Sequence, residues 1–271
     1  MKKDEAVPLS LIQNGVFEIL KYVRDVCDQN RLTYYLAYGT LIGAVRHQGF
    51  IPWDDDIDIS MPVPDYLRFL EIAQDELGDG FFIQNYNTED NCCLSYTKVR
   101  LKGTTVQPAD WRLFHIFHGA WIDIFPMFYS DSDKDFRIKR FLYKFSTLLQ
   151  AKDLYHNYVL VNGKNPNLIL NDFLASVVAI LPMKLRKRLH QKILDYVFSG
   201  KDGRYLCRCA VIARRFDADC FLGDICYHPF EQLSLRVPNN YDKVLRDEYG
   251  DYMQFPPEDK RGTHGEIEVI I

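Results

Sequence analysis

The sequence predicts an α+β protein, with a mixed sheet core, flanking helices and a C-terminal helical extension. Three observations carry this expectation. Apolar residues recur at helical spacing over 9–29 and 64–77. Around them lie short segments of strand character, at 56–61, 81–86, 95–101 and 120–125. From 133 to 199 the pattern changes to long helical runs.

In chain order, Leu9, Ile12, Val16, Ile19, Leu20, Val23 and Val26 fall on one stripe, so a helix opens the fold and closes at Asn30. Residues 32–38 are rich in β-formers and end at Gly39-Thr40, where a second, short helix is expected to begin. Gly49-Phe-Ile-Pro-Trp-Asp54 is turn chemistry. Asp56-Ile-Asp-Ile-Ser-Met61 then alternates with the period of a strand. Pro62 and Pro64 end that strand and open a helix over 64–77. Three further strands follow before residue 130. The helical region is expected to break at Asn162-Gly-Lys-Asn-Pro166. Beyond 200 the pattern reads as irregular, apart from a helix over 239–249 and a proline-rich tail at Pro256-Pro257.

The chain has 271 residues with 33 Lys+Arg against 37 Asp+Glu, and a formal charge of -4 argues against a dedicated nucleic-acid binder. The charged start, Met1-Lys-Lys-Asp-Glu5, has no apolar core of a secretory signal, and the longest apolar stretch, Phe173 to Met183, is too short to span a bilayer. A cytoplasmic setting with seven free, mostly buried cysteines is therefore expected. Cys207, Cys209, Cys220, Cys226 and His228 could form a zinc site, but their spacing does not fit paired Cys-x-x-Cys knuckles.

The densest chemistry is Trp53-Asp54-Asp55-Asp56-Ile57-Asp58-Ile59. On a strand, Asp56 and Asp58 share one face and the isoleucines anchor the other. Two adjacent carboxylates repel unless a cation neutralises them, and paired hard oxygen ligands suit Mg²⁺. Asp123, a lone acid in the apolar run Trp121-Ile-Asp-Ile-Phe125, is the third expected ligand, because burying an acid without a partner is costly. The bland alternative is a solvated acidic turn. Gly39-Thr40 lies at a strand end before a helix, where a backbone can approach a phosphate; the alternative there is an ordinary turn with Thr40 as helix cap. Together, Gly-Thr followed by Asp-x-Asp describes a nucleotidyltransferase-type site.

The block from Tyr38-Gly-Thr-Leu-Ile-Gly to Trp53-Asp-Asp-Asp-Ile-Asp-Ile-Ser-Met-Pro62 closely resembles the signature of the LicD family, relatives of the fukutin-type phosphotransferases. Lys98-Val-Arg100, Trp121-Ile-Asp-Ile-Phe-Pro126, Tyr249-Gly-Asp-Tyr252, Pro256-Pro257 and Arg261-Gly-Thr-His264 extend the resemblance. It implies a nucleotidyltransferase-like catalytic core over 1–130. A mostly helical extension over 131–271 would return its C-terminal segment to the active site. The implied activity is transfer of phosphocholine from CDP-choline to a sugar hydroxyl of a surface glycan such as teichoic acid, lipopolysaccharide or capsule. Mg²⁺, with Mn²⁺ as alternative, would sit on Asp56, Asp58 and Asp123. Gly39, Thr40, Arg46, His47, Lys98, Arg100 and His264 would line the substrate site. Choline's quaternary ammonium suits an aromatic cage, for which Trp53 is the first choice and Trp111 and the Tyr34-Tyr35 pair the next.

Three other readings stay open: transfer of another phospho-alditol from its CDP donor, a true nucleotidyltransferase moving NMP from NTP, and a glycan-binding member without chemistry. The apolar stretch ending at Met183 runs into Lys184, Arg186, Lys187 and Arg188, a pattern that can also rest peripherally on an anionic membrane face.

Overall fold

A computed structural model describes residues 8–90, 92, 94–108, 115–150, 156, 166–209, 214–263 and 267–270. The opening helix α1 (Leu9–Gln29) buries the expected stripe, with Val16, Ile19, Leu20 and Val23 almost fully enclosed. Each such side chain contributes about 1.5–3 kcal/mol on leaving water. The chain continues through β1 (Tyr35–Leu36), α2 (Tyr38–Arg46), β2 (Asp58–Pro62), α3 (Val63–Leu77), β3 (Phe81–Gln84), β4 (Thr97–Leu101), β5 (Thr105–Pro108) and β6 (Trp121–Ser130).

Helices α4 (Asp133–Leu148), α5 (Pro166–Val178) and α6 (Met183–Val197) form the helical region. Its expected break at 162–165 lies outside the described residues. Then come β7 (Tyr205–Arg208), β8 (Arg214–Asp217), β9 (Cys226–Phe230), β10 (Leu233–Val237), α7 (Tyr241–Tyr249) and β11 (Ile267–Ile270).

The main sheet is mixed, in the order β1-β2-β6-β4-β3. Strand β2 runs parallel to β6, whereas β1, β3 and β4 pair antiparallel with their neighbours. Strand β6 is ten residues long and buried throughout. Its first half is flanked by β2 and β4; at Met127, β7 takes over the edge that β4 leaves. Strand β8 extends the sheet from β7. The α+β class expected from the sequence is what the chain adopts.

Two local expectations change. The strand anticipated over 32–38 shrinks to Tyr35–Leu36. Tyr38 adopts a left-handed φ of 47°, which ends extended pairing, and α2 begins there after the extended Ala37. The region beyond 200 is not irregular but contributes five strands among the described residues, each of four or five residues. Such strands are too short and too polar to register as periodicity. With Val244 of α7 they also complete the core around α1: Leu206, Phe216, Phe230 and Leu235 belong to the same buried cluster as Ile19 and Ile59. Long helices run to Val197, and beyond it the helix expected over 239–249 forms as α7 (Tyr241–Tyr249) among the short strands.

Candidate active site

The parallel pairing of β2 and β6 sets Asp58 directly opposite Asp123, and the antiparallel pairing of β4 sets Lys98 opposite Asp123 from the other side. Residues in register project to the same face, so the sheet presents Asp58, Asp123 and Lys98 as one row. The other face carries Ile57, Ile59, Ile122, Ile124 and Val99, all fully buried. Asp56 falls just before β2, not within the strand that its alternation with Asp58 predicts. The carboxylates of Asp56, Asp58 and Asp123 nevertheless bring oxygens within 4.8 Å of one another.

Backbone ties hold this geometry. The Thr40 hydroxyl accepts the Asp58 amide at 2.8 Å, and the Ala37 amide donates to the Asp58 carbonyl at 3.0 Å. Asp123 donates its amide to the Ile57 carbonyl at 2.9 Å. Thr40 thus lies inside α2, not at its cap, and one of its functions is to position Asp58.

Burial, followed by repulsion from Asp56, Asp123 and Asp54, pushes the Asp58 carboxyl well above the usual carboxylate range, with Lys98 opposing. The Lys98 ammonium stands 2.5 Å from Asp123 Oδ1 with both side chains nearly enclosed. Burial lowers its affinity for a proton, while Asp123 acts against that shift. Three carboxylates facing one lysine leave an excess of negative charge at a half-buried site. Such an oxygen-only donor set fits a hard divalent cation. Asp54 and Asp55 extend the acidic cluster to a second group with Asp56.

The other sequence-derived residues divide between the sheet and the C-terminal segment. A Cβ on Gly39 would lie 2.6 Å from Asp54 Oδ2, so the missing side chain admits a carboxylate to the start of α2. Arg100 is a framework cation: it donates to the Gly119 carbonyl at 2.6 Å and to Gln84, and lies over the Trp121 ring. Arg46 donates to the carbonyls of Tyr252 and Gln254, and Phe255 packs on the rings of His47 and Trp53. The segment around 252–261 therefore covers Arg46, His47 and Trp53. Arg261 stacks over Trp53 at 5.3 Å and over Phe255 at 5.5 Å. Burial and then Arg46 lower the His47 pKa.

Trp111 and His264 lie outside the described residues. Tyr34 and Tyr35 are 3% and 2% exposed, with the Tyr35 hydroxyl donated to the Phe221 carbonyl, so that pair cannot cage a ligand. Cys207, Cys209 and Cys220 are buried thiols whose pKa values burial raises, to about 12 for Cys207. Among the described residues none of them joins a metal-ligating group.

One element had no sequence signal. Arg208 on β7 is fully buried, pairs with Glu248 on α7 at 3.2 Å, and covers the Tyr38 ring at 4.1 Å. It clamps the entrance of α2 against the C-terminal helix. Tyr38 and Tyr96 in turn pack on Phe125, an aromatic floor beside Asp123.

A mixed sheet that lines up carboxylates across parallel β2 and β6, next to a helix entered through Tyr38-Gly-Thr, defines a nucleotidyltransferase-like fold. Residues 31–156 match the family model described as LicD/FKTN/FKRP, nucleotidyltransferase domain. The lipopolysaccharide cholinephosphotransferase LicD of Haemophilus influenzae is 31% identical over 265 residues, covering 93% of this chain and 94% of that protein. Uncharacterized proteins of Rickettsia typhi and Rickettsia prowazekii match shorter stretches, at 40% over 58 residues and 34% over 81, covering 21% and 29% of this chain and 19% and 29% of theirs. The chain belongs to the LicD family.

Proposed function

We propose that this chain is a phosphotransferase that moves phosphocholine from CDP-choline to a sugar hydroxyl of a cell-surface glycan. The observation that carries the proposal is the convergence of Asp56, Asp58 and Asp123 in a chain aligned almost end to end with a cholinephosphotransferase. Asp56, Asp58 and Asp123 would hold Mg²⁺ or Mn²⁺. When bound, the metal supplies charge neutralisation on the donor's diphosphate.

The chain's own residues do the rest. Lys98 fixes Asp123 through Oδ1, which leaves Oδ2 to accept the proton of the sugar hydroxyl. The hydroxyl oxygen then forms its bond to the choline-bearing phosphorus as the bond to the CMP oxygen breaks, and CMP leaves. Gly39 and Arg46 bracket α2 on the donor side, with His47 beside Arg46. Trp53 receives the quaternary ammonium when Arg261 moves off its face.

Asp58→Asn tests the reading with two opposite outcomes. Turnover, measured as CMP release, should vanish. The metal-free variant should melt higher than the wild type, because a repelled, buried charge has gone. Retained turnover defeats the assignment. Pyrophosphate release from NTPs in place of CMP release from CDP-choline would favour a nucleotidyltransferase.

A peripheral membrane contact belongs to the same proposal. No helix among the described residues is long and apolar enough to cross a bilayer. Ile169, Leu170, Phe173 and Val177 are exposed on α5, and α6 carries Lys184, Arg186, Lys187 and Arg188. The protein should sediment with anionic vesicles and stay in the supernatant with zwitterionic ones; equal behaviour with both refutes the contact.

A further inference from the structure

Away from the acidic centre, a concavity of about 400 Å³ opens between α4, β8 and α7. Its wall is built from four arginines, Arg137 and Arg140 on α4 and Arg214 and Arg215 on β8, with Phe136 and Phe216 between them. Two acids also line it. Asp133 pairs with Arg215, and the Asp247 carboxylate is engaged by Lys243 at 2.8 Å. Arg214 donates to the Asp247 carbonyl at 3.2 Å and stands 3.9 Å from Glu248. Arg215 is further held flat, over the rings of Tyr205 at 4.2 Å and Phe136 at 5.5 Å.

Arg137 and Arg140 have no ion pair with any described residue. The pocket therefore carries an uncompensated positive charge, in a chain whose formal balance is -4.

A volume near 400 Å³ is within the range of small-ligand pockets. Guanidinium groups match phosphate oxygens in bidentate geometry, and a guanidinium is the cation best suited to this role. The two phenylalanines offer apolar surface for the C–H face of a sugar ring. A flat bilayer surface would engage the rim but not the interior of such a concavity. A series of contacts leads from the pocket to the acidic centre. Glu248 joins Arg214 to Arg208, Arg208 covers Tyr38, and Tyr38 opens the helix whose Thr40 holds Asp58.

We propose that this basic pocket is an accessory site for a phosphate-bearing sugar of the acceptor glycan, bound apart from the hydroxyl that reacts. The assignment to the acceptor rests on the function proposed above; the preference for a phosphorylated sugar rests on the pocket alone.

The test is calorimetric titration of the full chain with glucosamine 6-phosphate and with glucosamine, on the wild type and on Arg137→Gln/Arg140→Gln. Both substituted side chains reach solvent, and an unchanged melting temperature confirms the fold. The phosphorylated sugar should bind the wild type about tenfold or more tightly than glucosamine, and the double variant should lose about the same factor. Equal binding of the two sugars, or undiminished affinity in the double variant, overturns the proposal. So does binding seen with anionic vesicles and not with the sugar phosphate. CMP release by the wild type is read separately: its absence refutes the proposed function and leaves the binding result standing.

Discussion

Glu248→Gln should destabilise the protein by about 3 kcal/mol, the lower end of what breaking a buried ion pair costs. The magnitude follows from enclosure. The Arg208 and Glu248 side chains are 2% and 3% exposed, so removing one charge strands the other away from water. Arg208 is already short of partners, because its Nε and Nη1 find none among the described residues. Its remaining support is the face of Tyr38 at 4.1 Å and of Phe216 at 5.2 Å. A cation–π contact contributes about 0.5–2 kcal/mol and cannot replace a carboxylate.

Urea titration reads the loss directly, and for a chain of this size it corresponds to a fall of about 2 °C in melting temperature per kcal/mol. Arg208→Met should cost at least as much. The double variant Arg208→Met/Glu248→Leu should cost much less than the two losses combined, since neither charge is then left buried. Arg214→Gln is the internal control: Arg214 stands 3.9 Å from the same glutamate but is 46% exposed, so it should change stability by less than about 1 kcal/mol. A loss below about 0.5 kcal/mol in Glu248→Gln, or strict additivity in the double variant, refutes the buried clamp.

Thr40→Val keeps shape and volume but removes the acceptor for the Asp58 amide, and should cost about 1–3 kcal/mol together with a fall in kcat. Denaturation and CMP release measured on one preparation check it, and unchanged values for both defeat the positioning role. His190 gives a pH prediction. Burial pushes its pKa down from 6.5 to about 4, against the Ser146 carbonyl that takes its Nδ1 proton at 2.9 Å. Its folded pKa lies below its unfolded one, so the unfolded chain gains the proton first as pH falls. The stability it contributes is complete above pH 6.5 and is lost between 6.5 and about 4, by about 3 kcal/mol at most. The difference in unfolding free energy between wild type and His190→Gln, followed across that window, should carry this slope; parallel curves refute it.

The acidic centre is legible because its residues break local patterns. Asp58 interrupts an isoleucine alternation, and Asp123 interrupts an apolar strand. What no local pattern contains is the parallel pairing that sets them side by side across 65 residues of chain. Thr40 reads locally as a cap for a related reason: its partner is the amide of Asp58, eighteen residues on. Arg208 lies beyond the reach of local patterns altogether. It sits in a four-residue strand inside a Cys-x-Cys run that draws attention to metal ligation, and its partner is forty residues away on α7.

The cysteines around it are buried thiols, as their irregular spacing indicates. Lys98 shows where that logic stops. It shares β4 with a second buried cation, Arg100, so in the sequence it breaks no apolar pattern as Asp123 does in β6. Burying a charge alone would cost several kcal/mol, so a buried lysine needs a nearby acid, but residue order does not say which. The antiparallel pairing of β4 with β6 supplies it, setting Lys98 opposite Asp123 at 2.5 Å.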